Sequence, residues 1–324
     1  MKTILVLALD GVMDSSLAIT LDTVRTGQRF LAHGGNGGVR LLVAGHGKTV
    51  RTGGGLLLQS ELRFAEVPAM AAWPDWIVLP GLGVTSDAAI AARLAARDAL
   101  SAIGLLRQAP DRVQLGASCS SVFLLAHGGL LDARAATTTW WLAQAFRARH
   151  PQVRLDESKM LVRDARFLTA GSAYAQLDLT LAIVADTMGA GIAHLCSRYL
   201  LIDQRPSQAR YMVHAHTRQV DPTVVAAERW IDARLASPIS VTELAAALAV
   251  SPRTLARRID AAAGVSPLKF IQRRRLMKAA HLIETTPRSI ETIAAEVGYQ
   301  DATALRKLVR REFGTTPAAL RASR

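Results

Sequence analysis

The sequence predicts two domains of different class: an N-terminal α/β domain with a parallel sheet under covering helices, and an all-α C-terminal domain with two helix-turn-helix units. Three observations lead there. Up to about residue 200, short β-rich runs alternate with amphipathic stretches. Past residue 222 only helical periodicity remains, and within it the C-terminal third repeats itself at a separation of about 50 residues. A chain of 324 residues, half of them apolar, exceeds the usual size of one core and should be globular with short linkers.

In the first domain, Ile4–Leu9, Val39–Ala44, Trp76–Leu79 and Val113–Leu115 read as strands. Ser16–Leu31, Ser86–Gln108, Ser120–Ala126 and Trp140–Arg149 read as helices between or after them. Gly-rich His33–Gly38 and Gly53–Gly55 are turns, the second inside a hairpin. Two short strands follow Pro151, near Met160–Val162 and Arg166–Thr169, and then the helices Tyr174–Asp186 and Ala190–Leu200. The domains are therefore placed at 1–202 and 223–324. Between them, 203–222 is the linker because Pro206, Gln, Arg and two histidines follow no period.

The second domain divides into helices Thr223–Leu235, Val241–Ala249, Pro252–Ala262, Pro267–Glu284, Ile290–Val297 and Ala302–Phe313. Leu244-Ala245-Ala246 recurs 49 residues later as Ile293-Ala294-Ala295. Leu255, Arg257 and Gly264-Val265-Ser266-Pro267 recur 50 residues later as Leu305, Lys307 and Gly314-Thr315-Thr316-Pro317. Each copy has small residues where two helices cross, a tight turn, and a second helix with exposed basic positions. The helix between the copies would span roughly 27 Å at 1.5 Å per residue, close to the ~34 Å between successive major-groove faces.

Charge supports nucleic acid as the partner. Of the net +13, residues 251–324 supply +9, from 15 Lys and Arg against 6 Asp and Glu. Two cysteines, Cys119 and Cys196, imply no disulfide framework. The apolar run Ile4–Leu9 ends at Asp10, too soon for a signal peptide or a membrane span. A cytoplasmic protein without membrane attachment is expected. No Walker loop, HExxH or zinc-spaced Cys/His cluster occurs, so no metal and no cofactor are expected.

On these residues the segment Ile239–Arg321 resembles the AraC/XylS DNA-binding domain. The specific part is Ile293-Ala294-x-x-Val297-Gly298-Tyr299 followed by Arg311-x-Phe313-Gly314-x-x-Pro317. Leu305 departs from the aromatic common at its position. The resemblance implies that Arg253, Ala256 and Arg257 face bases from the first unit, and Thr303 and Lys307 from the second. Arginine can read guanine bidentately, whereas Ala256 offers only a methyl. Arg273, Arg274, Arg275 and Arg310 are assigned to phosphate or to ion pairs.

In the first domain, Val113–Leu115, then Gly116-Ala117-Ser118-Cys119-Ser120-Ser121, then Val122–Ala126 form a strand, a turn of small residues and a helix. That is the makeup of a nucleophile elbow, where a helix N-terminus would lower the thiol pKa. Cys119 is equally readable as a small buried hydrophobe. With Leu79-Pro80-Gly81-Leu82-Gly83, Gly129-Leu130-Leu131-Asp132-x-Arg134-x-Ala136-Thr137-Thr138 and Thr169-Ala170-Gly171, the stretch from about 3 to 200 resembles the PfpI-like branch of class I glutamine-amidotransferase-like domains. In GlxA-type regulators such a domain is joined to an AraC-type one. The resemblance implies a doubly wound, flavodoxin-like α/β fold with Cys119 at a pocket of strand ends. Proteolytic members follow the elbow cysteine with histidine, but Ser120 stands here. Thr139 stands before Trp140 where related regulators carry another histidine.

The expected function is sequence-specific transcription regulation without enzymatic activity. A small-molecule effector would bind among Asp14, Gly81, Gly83, Ser118, Cys119, Ser120, Thr139 and Trp140. Double-stranded DNA, a second copy of the chain and, for an activator, RNA polymerase are the expected partners. The alternative is a cysteine-dependent hydrolase or an isocyanide-hydratase-like enzyme using Asp14 with Cys119. Homodimerisation is expected from the Ala/Leu-rich stretch Ala88–Leu106, whose apolar positions exceed one buried helix face.

Overall fold

The structure is a computed structural model; it describes residues 1–33, 38–202, 208 and 221–322, and it divides into two compact units, Met1–Gln208 and Ala209–Arg324. Most of the turn expected at 33–38 and of the linker expected at 203–222 lies outside the described residues.

The first unit runs β1 (Lys2–Leu7), α1 (Asp14–His33), β2 (Val39–Gly45), β3 (Thr49–Arg51), β4 (Leu57–Gln59), β5 (Leu62–Arg63), β6 (Trp76–Leu79), α2 (Asp87–Leu94), α3 (Arg97–Gln108), β7 (Gln114–Ser118) and α4 (Val122–His127). It continues through β8 (Ala135–Ala136), α5 (Ala143–Arg149), β9 (Arg154–Leu155), β10 (Leu161–Asp164), β11 (Phe167–Ala170), α6 (Gln176–Met188) and α7 (Ala190–Tyr199). Seven strands form one sheet in the order β10-β11-β7-β6-β1-β2-β5, parallel throughout except for β10 on β11. The chain moves outward from β1 through β2, then restarts on the other side of β1 with β6. That reversal opens a crevice at the carboxyl ends of β1 and β6, where ligands of such sheets bind.

Both faces of the sheet are covered, which is why its strands are apolar runs and not alternating ones. Trp76 and Val78 pack into the core with α1 and α6, whereas Ile77 and Leu79 enter the opposite core with α3 and α4. The Gly53–Gly55 turn does connect a hairpin, β3 with β4.

The single helix expected over 86–108 is two. Ala96 takes an extended conformation between α2 and α3. Arg93 pairs with the buried Asp98 across the break, and Asp98 accepts from the Asp10 N–H at 3.0 Å. With two helix faces available, Ile90, Leu94, Ala99, Ala102, Ile103, Leu105 and Leu106 are all buried within the unit. Much of the apolar surplus that pointed to a dimer is thus covered internally, whereas Leu100 stays 51% exposed.

The second unit contains α8 (Pro222–Asp232), α9 (Val241–Ala247), α10 (Pro252–Ala263), α11 (Pro267–Thr285), α12 (Ile290–Glu296), α13 (Ala302–Phe313) and α14 (Pro317–Ala322), the last not expected. Capping sets these boundaries. Ser240 and Glu243 form a capping box, Ser251, Ser266 and Ser289 cap their helices, and Gly264 and Gly314 end α10 and α13 in the left-handed conformation. Each serine cap contributes about 1 kcal/mol. Two separate cores result, and α11 serves both: Phe270 and Ile271 join Leu255 and Ile259, while Leu276, Ala279, Leu282 and Ile283 join Leu305, Val309 and Phe313. Among the described residues no helix is long and apolar enough to cross a membrane.

Candidate functional site

The elbow sits where β7 meets α4, beside the crevice. Cys119 adopts φ 54°, a left-handed conformation costly for a side-chain-bearing residue, and is 1% exposed. Its backbone is held on both sides. The Cys119 N–H donates to the Gly171 carbonyl at 2.8 Å, and the Thr138 hydroxyl donates to the Cys119 carbonyl at 2.7 Å. The next two residues tie the elbow to the loop after β6: Ser120 donates to the Leu82 carbonyl and Ser121 to the Pro80 carbonyl, both at 2.6 Å. The same loop is fixed from the β1 side, where Met13 N–H donates to Gly81 and Gly83 N–H donates to Gly11.

Gly81 is pressed between the two elements. A β-carbon there would lie 3.1 Å from Cys119 Cβ and 3.1 Å from Ser16 Oγ, tighter than ordinary contact. Gly83 is looser, with the Gly11 carbonyl 3.7 Å from such an atom. Among the described residues Ser118 Oγ and Thr139 Oγ1 have no oxygen or nitrogen partner although both are buried, leaving two polar atoms at the elbow with capacity for a ligand. Burial pushes the Cys119 thiol above its ordinary pKa; hydrogen bonds from Ser120 and Thr139 pull the other way without overcoming it. The lowered pKa expected from the adjoining helix is therefore corrected: only the three-residue turn Cys119–Ser121 precedes α4, and desolvation outweighs it.

Asp14 does not stand ready as a base. Thr52 donates to its Oδ1 and the Gly54 N–H to its Oδ2 at 2.7 Å, and Thr52 first, then Gly54, hold the carboxyl below its usual pKa despite some desolvation. The α1 residue brought against the elbow is Ser16. No histidine among the described residues is hydrogen-bonded to the thiol. Trp140 is half-buried and meets Trp141 edge to face at 5.4 Å.

In the second unit, α10 and α13 are matched amphipathic helices. Leu255 and Ile259 bury one face of α10, leaving Arg253 and Arg257 exposed at a spacing of one turn with Ala256 between them. Leu305, Val309 and Phe313 do the same for α13, leaving Thr303, Lys307 and Arg310 exposed. Arg253, Arg257 and Arg310 have no ion-pair partner among the described residues. A groove of about 560 Å³ along α13 is lined by Thr303, Arg306, Lys307, Arg310 and Arg321.

The α11 arginines are otherwise engaged. Arg273 pairs with Glu312 at 3.3 Å, Arg274 with Glu228 and Asp232, and Arg275 donates to the carbonyls of Ser237 and Gly298.

A helix-turn-helix domain model matches residues 244–323. The C-terminal unit is an AraC-type helix-turn-helix domain. Beyond that domain, the chain is 28% identical over 217 residues to the HTH-type transcriptional regulator GlxA of Rhizobium meliloti, a match taking in 64% of this chain and 65% of that regulator. The chain thus spans just under two thirds of that relative's length. Since 217 residues exceed the whole second unit, the likeness continues into the first.

Solved structures give the fold of the first unit as DJ-1/PfpI-like. A ThiJ/PfpI family protein from Pseudomonas syringae superposes with a TM-score of 0.52 at 20% identity, covering 69% of this chain and 86% of its own. Drosophila melanogaster DJ-1beta does so with 0.51 at 18% identity, covering 63% and 99%.

Within the AraC-type domain, the residues expected to face bases share the exposed faces of α10 and α13, and Arg310 lies with them. Arg273 is drawn away by Glu312. At the elbow the structure gathers Gly81, Ser118, Cys119, Ser120 and Thr139, whereas the Asp14 carboxylate is committed to the β3–β4 loop. Sequence reasoning missed Ser16 and Gln208, and it assigned Arg275 to phosphate or to an ion pair where the structure has it donating to two backbone carbonyls. Only Gly171, inside a noted motif, carried any signal of Gln208.

Proposed function

We propose that this chain is a sequence-specific DNA-binding transcription regulator whose N-terminal unit senses a small molecule near Cys119. The observation that carries the proposal is the pair of matched helices α10 and α13. Each has basic side chains exposed opposite its own core, and both are mounted on the shared helix α11. Arg253, Ala256 and Arg257 read one block of bases, Thr303 and Lys307 another, and Arg310 contacts phosphate. Sensing is favoured over cysteine-dependent hydrolysis or hydration because the thiol is buried and protonated, Ser120 is a structural donor, and Asp14 is already bonded. The protein acts in the cytoplasm, as a homodimer that places four reading helices on paired half-sites, and contacts RNA polymerase where it activates. Linking two DNA contacts makes the second binding event intramolecular.

The test is selection of duplexes from a random pool by the full chain. The expected result is a motif of two blocks about 10 base pairs apart, bound with affinity that falls steeply with salt. Recovery of no motif would overturn the proposal. Light scattering of the full chain tests the dimer, which a monomer mass at micromolar concentration would exclude.

A further inference from the structure

One side chain from beyond α7 is built into the first unit. Gln208 is fully buried, and its carboxamide is satisfied throughout. Its Oε1 accepts from the Ser172 N–H at 2.9 Å. Its Nε2 donates to the Thr138 carbonyl at 3.0 Å, the Lys159 carbonyl at 3.1 Å and the Thr137 hydroxyl oxygen at 3.3 Å. The Gln208 N–H donates to Ser158 at 3.1 Å. One donor and three acceptors converge on a primary amide. A carboxylate there would bring oxygens against three acceptors, and an ammonium would leave the Ser172 N–H without a partner. Gly171 makes the room, since a β-carbon at that position would fall inside contact distance of Gln208 Oε1.

The cradle shares its walls with the elbow. Thr138 holds the Gln208 amide through its carbonyl and the Cys119 carbonyl through its hydroxyl. Gly171 accepts from the Cys119 N–H, and its neighbour Ser172 donates to Gln208. A molecule lodged against Cys119 therefore reaches Gln208 through Thr138 on one side and through the adjacent pair Gly171-Ser172 on the other.

We propose that Thr137, Thr138, Lys159 and Ser172 form a primary-carboxamide site occupied in cis by Gln208, and that release of Gln208 couples the Cys119 pocket to the DNA-binding unit. The coupling rests on the reading of the first unit as a sensor. The cradle itself does not.

The experiment compares the full chain with Gln208→Ala and Gln208→Met, the latter keeping length without the amide. Cys119 labelling by N-ethylmaleimide is followed by peptide mass spectrometry. Both variants should label about tenfold faster than wild type, the effect of opening one satisfied buried amide. Propionamide, which matches the missing side chain, should slow labelling of Gln208→Ala and raise its melting point, and propionate should do neither. Labelling of Gln208→Met at the wild-type rate, or equal effects of propionamide and propionate, would overturn the amide site. Should Gln208→Ala not fold, exchange of the Ser172 amide in wild type decides the same question: slow exchange supports the cradle and rapid exchange removes it. On the DNA motif selected by wild type, Gln208→Met should change affinity at least about fivefold, the lower end of coupling between sites. Unchanged affinity would overturn the coupling. The labelling arm uses no DNA, so its failure leaves the regulator reading standing.

Discussion

The guanidinium of Arg275, on α11, donates to the carbonyl oxygen of Gly298 at 3.2 Å, locking the turn of the second helix-turn-helix to the spacer helix. Its other terminal nitrogen reaches Ser237, before the first helix-turn-helix, at 2.7 Å. Arg275→Ala should destabilise the C-terminal unit by about 2–3 kcal/mol, because two carbonyls lose a charged donor. Arg275→Lys should recover no more than half, lacking the fork. Calorimetry of the full chain reads both, and a melting profile unchanged in Arg275→Ala would refute the staple.

DNA contacts should separate by helix. Arg257→Ala should relax preference at one base position at a cost of about 1–3 kcal/mol. Arg273→Ala should leave the selected motif and the salt dependence unchanged while lowering the melting temperature, since its charge is already paired with Glu312. Affinity measured on a panel of single-base variants distinguishes the two, and equal loss on every sequence for Arg257→Ala would reassign it to phosphate.

The Cys119 thiol should behave as a buried acid. Its folded pKa lies above the ordinary 9.0, so its labelling rate at neutral pH should be below that of a free thiol and still climb beyond pH 9. The unfolded chain releases this proton first as pH rises, so the stabilising contribution is complete below pH 9 and is lost above it. Cys119→Ala should flatten the alkaline fall of the melting curve. An unaltered fall would assign it elsewhere.

His150 should set an acid-side slope. Burial first, then the neighbouring His127 and Arg149, lowers its pKa from 6.5 to about 4, while Asp132 opposes weakly. Below pH 6.5 the unfolded chain takes up the proton before the folded one, so stability falls as pH drops from 6.5 towards 4. His150→Phe, which keeps the packing on Phe123 and Phe146, should reduce that slope. Identical pH profiles of the two proteins would contradict the shift.

The helices of the second unit are legible in the sequence because their signals are local: Ser251-Pro252 and Ser266-Pro267 open helices, and Gly264 and Gly314 close them. Thr316-Pro317 repeats Ser266-Pro267 and opens α14 in the same way, although so short a helix shows no period of its own. The break at Ala95-Ala96 carries no glycine or proline. It arises from the tertiary Arg93–Asp98–Asp10 cluster, which no local pattern announces. At the elbow, the run of small residues predicts the strained turn at Cys119. The acidity of its thiol is not legible there, because desolvation depends on residues far along the chain. Gln208 lies 89 positions from Cys119 in a stretch without periodicity, and its role exists only once Thr138 and Ser172 have been brought together.

The division of α11 between two cores gives α10 and α13 a fixed phase. One residue inserted between Ile271 and Leu276 would turn α13 relative to α10 by about 100° and advance it by about 1.5 Å. Neither core could then seat its share of the helix, and the exposed face of α13 would turn away from the side that α10 presents. The exposed side chains of α10 and α13 are thus free to change one at a time, whereas the spacing and phase of the two helices are inherited with α11 and cannot drift by small steps.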